Sequence, residues 1–335
     1  MPVPSSLSPA RLCVAAVVTV AAFSADAATY TLVDLGPDEF PTQVNARGDV
    51  SASNRHGNAT VFRGGHWHVL SHRSSAGRAI NAFGDVAGDN GANPVLWPRG
   101  GASAQMLPLP GGSNFGLGFG INGHREVVGL FEANDATIRC FAWTPEGGSV
   151  DLGFMAQGDF CQAFDVNSGG QITGEATVTA ERLPHAYIYD HGVFHDLGIL
   201  AGGDQSTGLA INRNGDVAGR ASVPPLDGMH FHAAVWTHGN LIDLDPHSAM
   251  DESVATGING SGEIVGTVVV GGALNQRAVR FTPRGVVYLD DEVKNLDGWT
   301  LAQAGGVNDD GAIVGVGYAP DGKAHAFMLR PASAD

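Results

Sequence analysis

Lysine is nearly missing from this 335-residue chain: only Lys294 and Lys323 are present, and Lys plus Arg number 18 against 34 Asp plus Glu. A formal charge of −16 leaves little with which to neutralise phosphates. Nucleic acid and anionic membrane surfaces are therefore excluded as partners, and solubility is what the charge provides. Charged residues of either sign make up only 16 %, which argues against a helical bundle or coiled coil, while 43 % hydrophobic residues suffice to bury a core. Cysteine is scarce as well, with Cys13, Cys140 and Cys161 alone, and no CxxC pair. A G-x-S-x-G elbow, an HExxH helix and a phosphate loop are all lacking. No reaction announces itself.

Long apolar runs are missing too, apart from Leu12 to Phe23, which is too short to span a bilayer. Arg11 precedes that run and Ser24-Ala25-Asp26-Ala27 follows it, an A-x-A cleavage pattern. Residues 1–27 therefore read as a secretory signal. Residues 28–335 are expected to form a single exported domain, secreted or periplasmic, with no membrane insertion. Such a chain keeps two cysteines and meets an oxidising compartment, so Cys140 and Cys161 are expected to form a disulfide.

What is abundant is glycine. Forty-eight residues are about twice the ordinary share of roughly 7 %, and 17 prolines add to them. The expectation is an all-β chain with many turns. Its organisation is a repeat: a hydrophobic residue, Asn, two residues, Gly, then an apolar run ending in Gly. The asparagines are Asn45, Asn81, Asn122, Asn167, Asn212, Asn259 and Asn308, so there are seven copies. Two copies depart from the pattern: Arg125 takes the place of the first Gly in the third, and Ala52 that of the second Gly in the first.

Each copy has a second half. A polar residue, usually an alanine, and alternating apolar residues follow, as in His185-Ala186-Tyr187, His232-Ala233-Ala234 and His325-Ala326-Phe327. A Gly-containing turn then leads to a run such as Asp151-Leu152-Gly153 or Asp196-Leu197-Gly198. In these tripeptides the sequence resembles the HAF-type extracellular repeat family, over nearly the whole exported chain. The resemblance implies export and a repeat architecture, and it brings no reaction or catalytic residue with it.

Asn-x-x-Gly is a tight-hairpin signal, in which Gly supplies a positive φ. Four short strands in about 44 residues is the arithmetic of a propeller blade. The seventh copy stops at Leu329-Arg330 without a fourth strand, and an orphan Asp34-Leu35-Gly36 strand stands ahead of the first copy. The fold expected is a seven-bladed β-propeller of four-stranded blades, closed by the N-terminal strand, which removes two open sheet edges.

The His of each second half is replaced by Asn58, Asn93, Arg139 or Arg277 elsewhere, which reads as a polar strand residue bonding across its blade. His66-Trp67-His68 and His230-Phe231-His232 each place two histidines on one strand face, but no third ligand is identifiable. Neither a metal nor a cofactor is expected. Trp97, Trp143 and Trp236 share one repeat position and read as core. The expected function is a monomeric, non-enzymatic binding module for a glycan or protein surface. A carbohydrate-active hydrolase or lyase on the same ring is the alternative. Loop lengths vary between the second and third strands and between copies, so that face is expected to bind.

Overall fold

The structure, a computed structural model, describes residues 30–101, 103–178, 183–224, 230–246, 252–272 and 275–332. The expected leader, 1–27, lies outside the described residues. Seven antiparallel four-stranded sheets form a ring, a seven-bladed β-propeller. Blades 1 to 6 cover residues 39–69, 76–106, 116–153, 161–196, 206–243 and 252–288, each with its strands in chain order from the axis outward. Blade 7 takes three strands from 300–331 and its fourth from Tyr30–Pro37. In that closure Leu32 faces Leu329, Asp34 faces Phe327 and Pro37 faces His325.

The first strand of each blade stops one residue before the Asn, at Val44 or Ile121 for example, and not at the Asn itself. The Asn heads a turn in which its N–H bonds the carbonyl four residues on, while its own carbonyl receives the N–H three residues on. Glycine occupies that last place at positive φ in six blades; Arg125 adopts φ 61° in the third. Its left-handed backbone costs roughly 1–2 kcal/mol, offset by a charge-assisted bond from its guanidinium to Asp85 at 2.8 Å.

Every first strand carries a β-bulge at the residue three before the Asn, seen as a register shift in all seven. The bulge drives the second-strand glycine against the first strand: a Cβ on Gly129 would sit 1.9 Å from the Leu117 carbonyl. The apolar core lies between neighbouring blades. One cluster joins Ala87 and Leu96 of blade 2 to Val127, Phe141 and Trp143 of blade 3. Trp97, Trp143 and Trp236 are all buried in this layer.

The tripeptides of the repeat are a cross-strand pair. His185 bonds Asp196, His232 bonds Asp243 and His325 bonds Asp34, each through Nδ1 at 2.9–3.0 Å. Arg139 does the same with Asp151, at 3.0 Å. The Asp is in turn capped by the N–H two residues on, from Gly36, Gly153 or Gly198. The hydrogen bond it donates to Asp243 holds the His232 imidazole above its usual pKa. Burial alone would raise Asp196, but the bonds from His185 and the Gly198 N–H outweigh it and hold the carboxyl below its usual range.

Candidate functional site

Because the first strands contact one another around the ring, their side chains meet water only along the axis. The bulged residues are Thr42, Arg78, Phe119, Phe164, Leu209, Thr256 and Gly305, and all seven are half-buried. They lean on one another in sequence. The Arg78 guanidinium lies 4.7 Å from the centre of the Phe119 ring, and Phe119 meets Phe164 edge-on at 5.5 Å. Thr256 donates to the Ala304 carbonyl of the next blade at 2.7 Å. The result is an apolar arc on blades 3 to 5, opposite a small-residue arc on blades 6, 7 and 1.

Two residues nearer the start of the same strands stand Phe40, Leu117, Gln162, Val254 and Gln303, at the mouth opposite the Asn turns. Phe40 is 45 % exposed, and Gln303 donates to Gln276 from the neighbouring blade. Three of the described acids close to this mouth are committed. Glu39 accepts from Thr60, Asp89 holds Arg78 at 2.8 Å, and Glu175 accepts from Thr207 at 2.7 Å. Burial raises the pKa of Glu39 and of Glu175. This is the face on which binding was expected; part of its rim (179–182, 225–229, 247–251, 273–274) lies outside the described residues.

Asp165 sits deeper in the channel wall. Although the residue is only half-buried, its carboxyl is withdrawn from water, which pushes its pKa up to about 6. Its oxygens accept only backbone N–H bonds, from Val166 at 2.9 Å and from Ile211 of the next blade at 3.0 Å. Gln43 performs the second task for Ile80 in blade 1. An acid raised in this way favours the fold while protonated, so its contribution is complete below about pH 4 and is lost as pH rises through about 6. Asp165→Asn keeps an acceptor for Ile211. Relative to wild type it should gain up to ~3 kcal/mol between pH 4 and pH 7, read from urea midpoints across that range. A constant difference at every pH would show that the carboxyl is not withdrawn from water.

At the opposite mouth the seven repeat asparagines close a circle. Each Nδ2 donates to the carbonyl of the Asn in the next blade: Asn45 to Asn81 at 3.0 Å, then on around to Asn308, which donates back to Asn45 at 2.9 Å. Each Oδ1 accepts the N–H two residues on and the N–H four residues on, as in Asn212 with Asn214 and Asp216. A depression of about 270 Å³ lies among these turns, bridged by an Arg213–Asp309 pair at 2.8 Å. The sequence marked these asparagines as turn formers; their reach across the blades depends on ring closure.

No family model matches the sequence, and no curated protein does. Solved structures do. A puromycin-hydrolysing peptidase from Mycobacterium tuberculosis aligns at 16 % identity with a TM-score of 0.54, covering 90 % of this chain and 53 % of the peptidase. This chain thus spans about half the length of that enzyme. YCF48 bound to D1 peptide aligns at 11 % identity and TM-score 0.50, over 91 % and 96 % of the two chains. A chain of the mitotic checkpoint complex gives 11 % and 0.50, over 98 % and 96 %. At such identities the likeness is one of fold alone.

Cys140 and Cys161 form a disulfide, with α-carbons 5.0 Å apart, joining the third strand of blade 3 to the first strand of blade 4. Among the described residues no group of three His, Cys, Asp or Glu side chains is placed to hold a metal ion. Nor is any helix among them long and apolar enough to cross a membrane.

Proposed function

We propose that the protein is an exported, non-enzymatic binding propeller that takes a glycan at the mouth of the axial channel opposite the Asn turns. One observation carries the reading: the channel at that mouth presents aromatic and amide groups, Phe40, Phe119 and Phe164 with Gln162 and Gln303, while Glu39, Asp89 and Glu175 are held by partners in their own or the next blade. Aromatic rings stack on apolar sugar faces, and carboxamides match sugar hydroxyls as both donors and acceptors. A glycoside hydrolase needs instead two free carboxyl groups facing one bond. The His–Asp pairs explain why the two tripeptides travel together, and they support membership of the HAF-type repeat proteins, with a secreted or periplasmic location.

A glycan array followed by a reducing-sugar assay on the hits tests this. Phe164→Ala should weaken the hits about tenfold or more, a loss of ~1.4 kcal/mol, whereas Phe83→Ala on the Asn-turn face should leave them unchanged. Release of reducing ends would identify the alternative, a hydrolase or lyase. A footprint on the Asn-turn face would overturn the assignment of the site, and binding of a protein segment in place of any glycan would overturn the ligand.

A further inference from the structure

A second cavity, of about 310 Å³, opens on the Asn-turn face between blades 3 and 4. We propose that it binds the guanidinium or ammonium end of an organic cation, with Glu126 as the counter-ion. The repeat itself supplies the comparison. In four blades the residue four beyond the Asn is an acid that holds a partner, and three of these reach a neighbouring blade. Asp49 takes Arg63 at 3.4 Å and Arg99 of blade 2 at 3.3 Å. Asp85 takes Arg125 of blade 3 at 2.8 Å. Asp216 accepts from Thr237 at 2.6 Å, and Glu263 accepts from Tyr30 at 2.9 Å. At two of the junctions, then, the chain fills the place with its own guanidinium.

Glu126 has no such occupant. One oxygen accepts from Asn122 at 2.9 Å, and no arginine among the described residues reaches the other. The arginine that blade 3 extends back to Asp85 has as its counterpart in blade 4 Gly170, whose built Cβ would lie 3.6 Å from the Glu126 carboxylate. The space an Arg side chain would fill is the cavity. The pKa directions agree with this difference. Burial raises Glu126, the Asn122 bond and His124 only partly opposing it; at Asp85 the same burial is outweighed by the bonds from Arg125, the Arg99 N–H and Asn81. The remaining walls suit an alkyl stem, with Leu152, Tyr189 and the exposed Val150 beside Glu126, and Asp190 near His191 at the far side. Long cationic side chains are recognised in this way, stem on apolar surface and head on carboxylate. A chain of charge −16 also draws cations toward it.

The site is separate from the channel mouth and stands independently of the glycan reading. Agmatine, n-butylamine and the peptide acetyl-Gly-Arg-Gly-amide are titrated into the full chain, with the backbone amides of Gly170 and Gly192 followed by NMR. Saturable shifts are expected at these two amides. Glu126→Gln should weaken the response tenfold or more. Gly170→Arg should abolish it by supplying the missing guanidinium, at a backbone position where Arg125 shows that arginine is accommodated. Preference for the peptide over agmatine would assign the natural occupant to a polypeptide, and the reverse to a free amine. Absence of saturable shifts in wild type, or equal binding by wild type and the folded Glu126→Gln chain, would overturn the proposal.

Discussion

Deleting residues 28–36 should cost about 5 kcal/mol or more and should replace one cooperative unfolding transition with two that separate. The loss has named parts. Tyr30 and Leu35 are buried, each worth roughly 1.5–3 kcal/mol by burial. The Tyr30 hydroxyl donates to Glu263 in blade 6, and the same carboxylate accepts from Asn259 and lies 3.9 Å from Arg280. Asp34 pairs with His325, and the Leu35 carbonyl accepts from Trp67 of blade 1 at 2.7 Å. The closing strand therefore grips blade 7 and both of its neighbours. Without it the 324–331 strand becomes an open edge, a template for aggregation. Urea unfolding followed by far-UV circular dichroism and by tryptophan fluorescence would show midpoints that no longer coincide. Tyr30→Phe is the fine control, expected to cost about 1–2 kcal/mol with a single transition retained. An unchanged midpoint in the truncated chain would mean that the ring holds without its clasp.

Removing the Cys140–Cys161 bridge should cost roughly 3 kcal/mol on the chain-entropy account, for a loop of 21 residues. The repeat suggests how to recover part of that. Six residues before the Asn, three other blades carry Ser75, Ser206 and Ser253. Each of these hydroxyls accepts the N–H of the preceding blade's alanine, from Ala59, Ala186 and Ala233 at 2.8–2.9 Å. Cys161 occupies the serine place and Cys140 the alanine place. The double variant Cys140→Ala with Cys161→Ser should rebuild the ordinary latch and regain about 1 kcal/mol relative to the reduced protein. Mass spectrometry of the native protein, denatured without reductant and alkylated, should find no free thiol in the pair. Two alkylated cysteines would refute the bridge.

This correspondence also shows what the amino-acid order reveals and what it hides. Blade number, strand count and the closing strand follow from regularity: Asn-x-x-Gly seven times, and an Asp-Leu-Gly strand at the end of the chain where it looked orphaned. The disulfide was reachable by count, yet its geometry lay in a column of serines whose role shows only when blades are set side by side. The channel was hidden for the opposite reason. Repeats are found by sameness, and the axial position holds Thr42, Arg78, Phe119, Phe164, Leu209, Thr256 and Gly305, five residue types in seven places. A position that varies from copy to copy is where a ring of like parts can acquire a particular ligand. Glu126 escaped notice similarly, because its departure lies in its neighbours: the preceding junction has Arg125 where this one has Gly170.

The closed circle of asparagines has a consequence for how such a chain can change. Each amide spans the gap to one neighbouring carbonyl, and the last must find the first, so the seven spans close together or not at all. Gain or loss of a copy would alter the angle between all adjacent turns and put every span out of reach at once. The circle therefore acts as a tally fixed in hydrogen bonds, one that counts the blades irrespective of what they carry. Copies from 36 to 49 residues apart can drift in loop, charge and lining while the number of places in the ring stays the same.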